Sequence, residues 1–309
     1  MNEKMKILLA YDGSSYAEAA IDDLKRAGLP REAEALIVSV GDVLMKPPPS
    51  SYEVVEQVLA SRRVTSAIVQ AQAQASKALE EAARLAAQAS ERVRSLVPEW
   101  TVRAEALAGA PAQELIQKAD EWKPDLIVVG SQGRSALGRL ILGSVSQKVV
   151  NEAKCSVRVA RGQDKESDSP VCVVIGVDGS REAETAVRAV AARVWSAGSE
   201  ARVIAVQETI VAMIPAIEVG IEAGEAKLAS LRHALESAAD VLRAAGLVVS
   251  TVIKKGDPKQ MLVEEAEQWK ADCIFVGARG LGALERILLG SVSTAVVTRA
   301  RCSVEVVRA

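Results

Sequence analysis

The sequence predicts an α/β protein with two tandem, doubly wound domains, each built around a five-stranded parallel sheet. Its 309 residues are enough for two domains of about 150 residues each. Short apolar runs alternate with helical segments along the chain, and this alternation is typical of a parallel sheet covered on both faces. The second half of the chain also repeats the pattern of the first, which indicates one such sheet in each half.

The repeat is clearest in three glycines that recur 147 residues later: Gly130, Gly133 and Gly143 recur as Gly277, Gly280 and Gly290. Nearer the start of each half the offset is 166 residues, since Asp12 in YDGS matches Asp178 in VDGS. The first half therefore holds 19 extra residues between Val40 and Gly109.

A linker between the halves is indicated by the segment GQDKESDSP, which is polar, charged and rich in turn residues. We place this linker at residues 162–170. Domain 1 is then expected to span residues 1–161 and domain 2 residues 171–309.

The first elements of the first half are two buried strands with a helix between them. MKILLAYD is an apolar strand that ends at Asp12. Ser15 and Glu18 then fit a capping box that opens a helix running towards Ala27. ALIVSV is the second strand, and we expect it to end at Val40.

The remaining elements of the first half continue the alternation. The run from about Tyr52 to Leu96 contains neither Gly nor Pro and predicts one long helix or a helical pair, which most of the extra residues lengthen. VRAEAL is a third strand, Gln113 to Trp122 a short helix, and DLIVVG a fourth strand that ends at Gly130. A further helix starts near Gly143, and CSVRVA is the fifth strand. The second half repeats this order with the strands VCVVIGVD, ARVIAV, VVSTVI, CIFVG and CSVEVV.

Composition argues against several classes of partner. Lys and Arg number 38 and Asp and Glu 40, a net charge of -2, so no basic surface for nucleic acid is expected. No apolar stretch reaches the roughly 18 residues of a membrane span, and the N-terminal apolar run, interrupted by Asp12, is too short for a signal peptide. None of the four cysteines forms a CxxC pair. We therefore expect buried thiols and a cytoplasmic protein.

The carboxyl ends of the strands are the expected ligand site, because ligands of open α/β sheets bind there, where the strand order reverses. Asp12, Val40 and Gly130 would all lie on that edge. Gly130 and Gly133 bracket a loop whose backbone either approaches something closely or takes a positive φ. Asp12 suits a ribose hydroxyl, and the backbone of Val40 suits the edge of a base.

The helix that starts near Gly143 adds a possible phosphate site. Its first amides have no partner within the helix and carry partial positive charge, and the Ser144 hydroxyl would be a further donor. Glycines at strand ends and helix starts are also ordinary turn residues, but two copies at one spacing, each with an upstream Asp, favour a ligand. The chain contains no GxxxxGK[ST] loop, and DGS stands where a dinucleotide fold has GxGxxG.

These motifs resemble the ATP-binding subgroup of the universal stress protein family, whose signature G-x2-G-x9-G-[S/T] follows the fourth strand. Both halves match it, so the resemblance implies a tandem member with the adenine nucleotide α-hydrolase-like fold and one ATP site in each half. The residues implied at the first site are Ala10, Asp12, Val40, Gly130, Gly133, Arg134, Gly143, Ser144, Val145 and Ser146. Those at the second are Gly176, Asp178, Val206, Gly277, Arg279, Gly280, Gly290, Ser291, Val292 and Ser293.

The resemblance also implies how the halves assemble. Family dimers pair through their fifth strands, so CSVRVA and CSVEVV are expected to make that pairing inside one chain, as a pseudo-dimer. A further homodimer of whole chains stays open.

The two glycine loops differ in the position of their arginine. Arg134 stands where the second half has Leu281, and Arg279 stands where the first half has Gln132. We hypothesise that each site keeps one guanidinium near the triphosphate, reached from a different direction, so that the two affinities differ. The alternative is that both arginines face solvent.

Catalysis finds little support in the residue types. His233 is the single histidine, which excludes a two-histidine metal site and the HxGH motif of adenylyl transferases of related architecture. Phosphoryl transfer usually needs magnesium and an added cation, and neither glycine loop contains Lys. Asp12 or Asp178 could help to hold Mg²⁺. The favoured interpretation is an ATP-binding regulatory protein of the stress response; a slow ATPase and a nucleotide-free interaction module that uses the long first-half helix are the alternatives.

Overall fold

A single mixed sheet runs through both halves of the protein. The computed structural model describes residues 4–43, 62–133, 142–162, 169–208, 217–280 and 289–308. Over these residues the strands are β1 (Met5–Ala10), β2 (Ala33–Asp42), β3 (Thr101–Gly109), β4 (Leu126–Gly130), β5 (Ser156–Ala160), β6 (Cys172–Gly176), β7 (Glu200–Gln207), β8 (Val248–Lys255), β9 (Cys273–Gly277) and β10 (Ser303–Val307).

The strand order across the sheet is β3-β2-β1-β4-β5-β10-β9-β6-β7-β8. Within each half all neighbouring strands are parallel, whereas β5 and β10 pair antiparallel at the seam between the halves. The prediction of two parallel five-stranded sheets is therefore confirmed. The pairing of the two fifth strands that the resemblance implied is present in this structure.

Helices cover both faces of the sheet. In chain order they are α1 (Ser15–Asp23), followed by a 3₁₀ turn (Leu24–Arg26), α2 (Arg62–Leu96), α3 (Pro111–Trp122), α4 (Ser144–Glu152), α5 (Arg181–Ala191), α6 (Ile217–Ala244), α7 (Pro258–Gln268) and α8 (Ser291–Arg299). Over the described residues α2 has 35 residues and α6 has 28, and each begins directly after residues that are not described. The part of the predicted first-half helical run before Arg62 lies outside the described residues.

The start of α1 differs from the predicted capping box. Ser14, not Ser15, is the N-cap, and its hydroxyl accepts a hydrogen bond from the Ala17 amide at 3.2 Å. Glu18 consequently lies one position too late to complete a capping box. Its carboxylate instead contacts the Tyr11 hydroxyl and the Arg92 guanidinium of α2.

Alternation along the strands divides the apolar core between the two faces of the sheet. On one face, side chains such as Leu8, Ile127 and Ile274 belong to a single cluster that continues across the seam beneath α3, α4, α7 and α8. On the other face, each half has its own cluster, beneath α1 and α2 in the first half and beneath α5 and α6 in the second. The fold thus joins two domains through a shared core on one face only.

The burial of the four cysteines agrees with this division of the core. Cys273 and Cys302 are buried, whereas Cys155 and Cys172 are partly buried, and all four are free thiols. Burial raises the pKa of Cys273 to about 12, although the nearby Arg158 opposes the shift.

Within the described part of the chain, no helix has the length and apolar content needed to cross a bilayer.

The core assignment predicts the effect of truncating a β4 side chain. Ile127 is 0% exposed, so Ile127→Ala should lower the free energy of unfolding by about 2–5 kcal/mol, because a cavity replaces buried contacts. Val248 of β8 is 61% exposed, and Val248→Ala should change it by less than about 0.5 kcal/mol. Urea unfolding followed by circular dichroism measures both values, and equal effects would contradict the assignment.

Candidate functional site

Those predicted site residues that the structure describes lie at the carboxyl edge of the sheet, in one group in each half. In the first half β1 is bordered by β2 on one side and by β4 on the other, so the loops that follow β1 and β4 leave the sheet in opposite directions and open a crevice between them. Ala10 is the last residue of β1 and Gly130 the last of β4. Gly176 and Gly277 end β6 and β9 in the same way.

The DGS turns place one aspartate in each crevice. Oδ1 of Asp12 accepts a hydrogen bond from the Ser14 amide at 3.0 Å, and Oδ1 of Asp178 accepts one from the Ser180 amide at 2.9 Å. Gly13 has a φ of 78° between Asp12 and Ser14, a conformation that glycine adopts without strain. Each aspartate therefore fixes its own turn with one carboxylate oxygen.

The second carboxylate oxygen lies against the glycine loop of the neighbouring strand. A Cβ atom built on Gly133 would lie 3.0 Å from Oδ2 of Asp12, and one built on Gly280 would lie 2.6 Å from Oδ2 of Asp178. Neither glycine has a positive φ. The sequence left two reasons for glycine open, a positive φ and the close approach of another group. Close approach is the one that applies, and the approaching group is the aspartate carboxylate that is predicted to bind ribose.

The first glycine of each loop has a different structural reason. A Cβ on Gly130 would lie 2.7 Å from the carbonyl oxygen of Tyr16, and one on Gly277 would lie 2.7 Å from the carbonyl carbon of Glu182. Tyr16 and Glu182 belong to the first turns of α1 and α5. These two glycines allow a helix to pack directly on the end of a strand.

The third glycine of each loop is the N-cap of α4 or α8. Gly143 and Gly290 have extended backbones, and neither helix has a side-chain cap. A Cβ on Gly290 would meet no described atom closer than 3.4 Å, whereas one on Gly143 would lie 3.2 Å from Cα of Gln132. Ordinary van der Waals contact at Gly290 means that the described residues do not require glycine there. A side chain at that position would instead cover the first amides of the helix.

Two serines that follow these caps tie the first turn of each helix to the end of a strand. The Ser146 hydroxyl donates to the carbonyl of Gly130, and the Ser293 hydroxyl donates to the carbonyl of Gly277, both at 2.7 Å. Each hydroxyl has thus used its one hydrogen, so towards a phosphate only the backbone amides of these serines can act as donors. Ser144 is exposed at the first position of its helix.

The base side of the crevice shows an asymmetry that the sequence analysis missed. Val40 and Val206 are partly buried, but β2 and β7 run past them to Asp42 and Gln207, so the prediction that the second strand ends at Val40 is wrong. The residues that follow the valines are Gly41 and Gln207. The repeat offset already pairs these two positions, although it does not reveal what packs against them.

The neighbouring helix explains the glycine of the first half. A Cβ on Gly41 would lie 2.5 Å from the carbonyl oxygen of Ala78 in α2, so the long first-half helix rests on the strand end and no side chain fits beneath it. In the second half Gln207 fills this position, and its buried Oε1 has no hydrogen-bond partner among the described residues. The two crevices therefore differ in shape and polarity beside the predicted base position.

The arginine predictions have separate outcomes. Arg134 lies outside the described residues. Arg279 is described, and its guanidinium makes a 3.0 Å ion pair with Glu182 of α5. Its predicted contact with phosphate would require the side chain to exchange this carboxylate for the ligand.

Other polar features do not coincide with these crevices. A cavity of about 510 Å³ opens between the halves at the amino ends of β1, β4 and β5, and none of the predicted site residues lines it. His233 is exposed on α6. Over the described ranges, no three His, Cys, Asp or Glu side chains cluster closely enough to hold a metal ion.

Comparison with known proteins identifies a matching family model and proteins of similar sequence and fold. The model of the universal stress protein family matches residues 4–161 and again residues 172–308. A universal stress protein of Mycobacterium tuberculosis is 32% identical over 211 residues, which cover 67% of this chain and 69% of the relative. The crystal structure of a universal stress protein from Archaeoglobus fulgidus shares the fold with a TM-score of 0.65 and 22% identity, over 98% of both chains. A universal stress protein solved in complex with cAMP is 28% identical over 43% of this chain and 94% of its own, with a TM-score of 0.33.

The hydroxyl contacts within the loops predict different roles for two serines of α8. Ser293→Ala should lower the free energy of unfolding by about 1–3 kcal/mol, because the buried carbonyl of Gly277 loses its donor. Ser291→Ala, at an exposed position of the same helix, should change it by less than about 0.5 kcal/mol. Denaturant unfolding of both variants tests this, and a destabilised Ser291→Ala with an unaffected Ser293→Ala would reverse the assignment.

Proposed function

Since the chain belongs to the universal stress protein family, we propose that it is a regulatory protein that binds ATP at one site in each half. One observation carries the proposal. In both halves an aspartate carboxylate lies against a glycine loop from the neighbouring strand, beside a helix that has no side-chain cap. An acceptor for ribose and backbone donors that have no acceptor within their own helix are thus next to one another.

The proposed contacts follow from this arrangement. Oδ2 of Asp12 accepts a hydrogen bond from a ribose hydroxyl, while Oδ1 keeps its bond to Ser14. The backbone around Gly133 and the first amides of α4, beginning at Ser144, donate to the phosphate oxygens, because these amides have no acceptor inside the helix. The backbone of Val40 meets the edge of adenine. Asp178, Gly280, Ser291 and Val206 have the same roles in the second half.

Regulation follows if ATP binds two states of the protein with different affinity. The glycine loops and the uncapped helices form the crevice between separate strands, so nucleotide would fix their relative positions. A partner that recognises this edge of the sheet would then distinguish occupied from empty protein. Occupancy, and not turnover, is the proposed signal.

Nucleotide binding can be tested with substitutions at the helix caps. Gly290→Val fits the extended backbone at this position, but its side chain should cover the first amides of α8 and weaken ATP binding in the second half by at least about tenfold, as the loss of one or two charge-assisted hydrogen bonds would. Gly143→Val should also weaken binding in the first half, where the added Cβ in addition lies 3.2 Å from Cα of Gln132 and presses on the glycine loop. Isothermal titration calorimetry should show two sites in the wild type, one in each single variant and none in the double variant.

Each single variant serves as the control for the other, because the untouched half must keep its site. Circular dichroism establishes that the fold is retained. Unchanged binding by a folded double variant would show that the helix caps do not hold the phosphates.

The differences between the halves predict unequal affinities. In a Gly143→Val background only the second site remains, and there Arg279→Ala should weaken ATP binding by about three- to tenfold through loss of a cation near the phosphates. Gln207→Gly, which recreates the residue of the first half, should also change the affinity. Two equal, independent sites in the wild type, or no effect of either substitution, would contradict this prediction.

The proposed binder can be distinguished from an ATPase by analysing both the nucleotide and its products. Nucleotide is extracted from the purified protein and identified, and the protein is then incubated with ATP, with and without Mg²⁺, while free phosphate is measured. Retained ATP without phosphate release supports the proposal. Phosphate release that the double cap variant loses would identify a slow ATPase instead, and absence of both binding and turnover would overturn nucleotide binding altogether.

A further inference from the structure

The seam between the halves has a position at which each half meets its own counterpart. Arg158 of β5 lies opposite Glu305 of β10, and the two are equivalent in the repeat, 147 residues apart. The neighbouring residues face each other's counterparts: Val157 corresponds to Val304 in the repeat but pairs with Val306, and Val159 corresponds to Val306 but pairs with Val304. The pseudo-twofold axis therefore passes between Arg158 and Glu305. If a half paired with a copy of itself, the residue at this position would face an identical residue.

One set of contacts across the seam is the same in both directions. Arg161 donates to the carbonyl of Val297 at 2.7 Å, and its counterpart Arg308 donates to the carbonyl of Val150, the counterpart of Val297. The Arg161 amide donates to the Ser303 hydroxyl, and the Arg308 amide donates to its counterpart Ser156. This arginine clamp, formed by Arg161 and Arg308, is equally compatible with pairs of like and of unlike halves.

A second set of contacts is not symmetric and is buried. The Arg158 guanidinium, 1% exposed, contacts Oδ2 of Asp23 at 2.5 Å and Oε2 of Glu305 at 3.3 Å. Glu305, also 1% exposed, is contacted in turn by Arg193. Burial alone would lower the pKa of Arg158, but Asp23 and Glu305 raise it above its ordinary value. The guanidinium is thus held charged in the seam.

The counterparts of the flanking charges are neutral. Asp23 corresponds to Ala189, and Arg193 corresponds to Ala27. Arg193 also donates to the carbonyl of Ala27 at 2.7 Å, across the seam. The first half thus contributes Asp23 with Arg158, and the second half contributes Arg193 with Glu305, so each half supplies one charge of each sign. Among these four residues, the ion pair that joins the two halves is that of Arg158 with Glu305.

We infer that these four charged residues make the fifth-strand edge of each half selective for the other half and unfavourable for a copy of itself. Two first halves would bring two Arg158 guanidinium groups together at the axis. Two second halves would bring two Glu305 carboxylates together there, each with only the Arg193 of its own half as a counter-charge. Buried like charges are strongly unfavourable, whereas the arginine clamp and the valines would accept any pairing.

Because of this selectivity, the β5 edge of the first half pairs with the β10 edge of the second half and not with another β5 edge. The inference does not depend on nucleotide binding, because all four charged residues lie away from the glycine loops. It also means that an additional association of whole chains through like halves is disfavoured, and that such an association has to use another surface.

The test uses the intact chain, cut after folding. A protease site is inserted into the linker between Gln163 and Asp168, the folded protein is cleaved, and the fragments are allowed to exchange partners before native mass spectrometry counts like and unlike pairs. The wild type should give fewer than about one like pair per hundred unlike pairs, since like-charge juxtaposition costs several kcal/mol. Like pairs in the cleaved wild type at the statistical level would overturn the inference.

Two single variants test the two edges separately. Glu305→Gln removes the repulsion between second halves, so pairs of second halves should rise at least about tenfold while pairs of first halves stay rare. Arg158→Met should have the opposite effect: pairs of first halves should become more frequent, while pairs of second halves stay rare. If both variants increase the same kind of like pair, or if neither increases any, the charges do not select the partner.

A combined variant and a clamp variant complete the design. Asp23→Ala, Arg158→Val, Arg193→Ala and Glu305→Val together make these four positions neutral, and Arg26→Ala in the same variant removes the buried ion pair of Arg26 with Asp272 that also joins the halves. Unlike pairs should then fall to about half of all pairs, as random pairing requires. Arg161→Ala with Arg308→Ala should weaken all pairs without changing their proportions. A combined variant that folds, by circular dichroism, and still forms only unlike pairs would refute the inference; if it does not fold, the single variants decide.

Discussion

The antiparallel pairing of β5 with β10 is the interaction on which the architecture depends. It turns two five-stranded sheets into one and places the apolar side chains of both fifth strands in a single core on one face. On the other face the same two strands present Arg158 and Glu305, which separate the two domain cores. Apolar contact therefore supplies the attachment on one face, and charge pairing supplies the choice of partner on the other.

The candidate sites lie at the carboxyl ends of β1 and β4 in the first half and of β6 and β9 in the second, and they depend on close packing of backbone. Gly133 and Gly280 are glycine because an aspartate carboxylate lies against them, and Gly130 and Gly277 because a helix rests on the strand end. The protein thus brings a carboxylate, a loop and an uncapped helix together without strained backbone at these four positions. A flexible ligand with hydroxyl and phosphate groups fits such a surface, which is why the proposed function rests on the geometry of both halves.

The two halves nevertheless differ at their ligand edges. In the first half α2 presses on Gly41, whereas the second half has room for Gln207. Arg279 is paired with Glu182 in the second half. Two copies of one motif need not have one affinity.

The sequence by itself determined the repeat, the alternation of strands and helices along the chain and the positions of the glycine motifs, because apolar periodicity and turn residues are local properties of the chain. It did not determine which serine caps α1 or how far β2 extends, since one-residue boundaries depend on hydrogen bonds that form only in the folded protein. Nor could it show why Gly133 is glycine or what Arg158 faces. Those answers depend on contacts between segments more than 100 residues apart, such as Asp12 with Gly133 and Arg158 with Glu305, and only the tertiary structure brings such segments together.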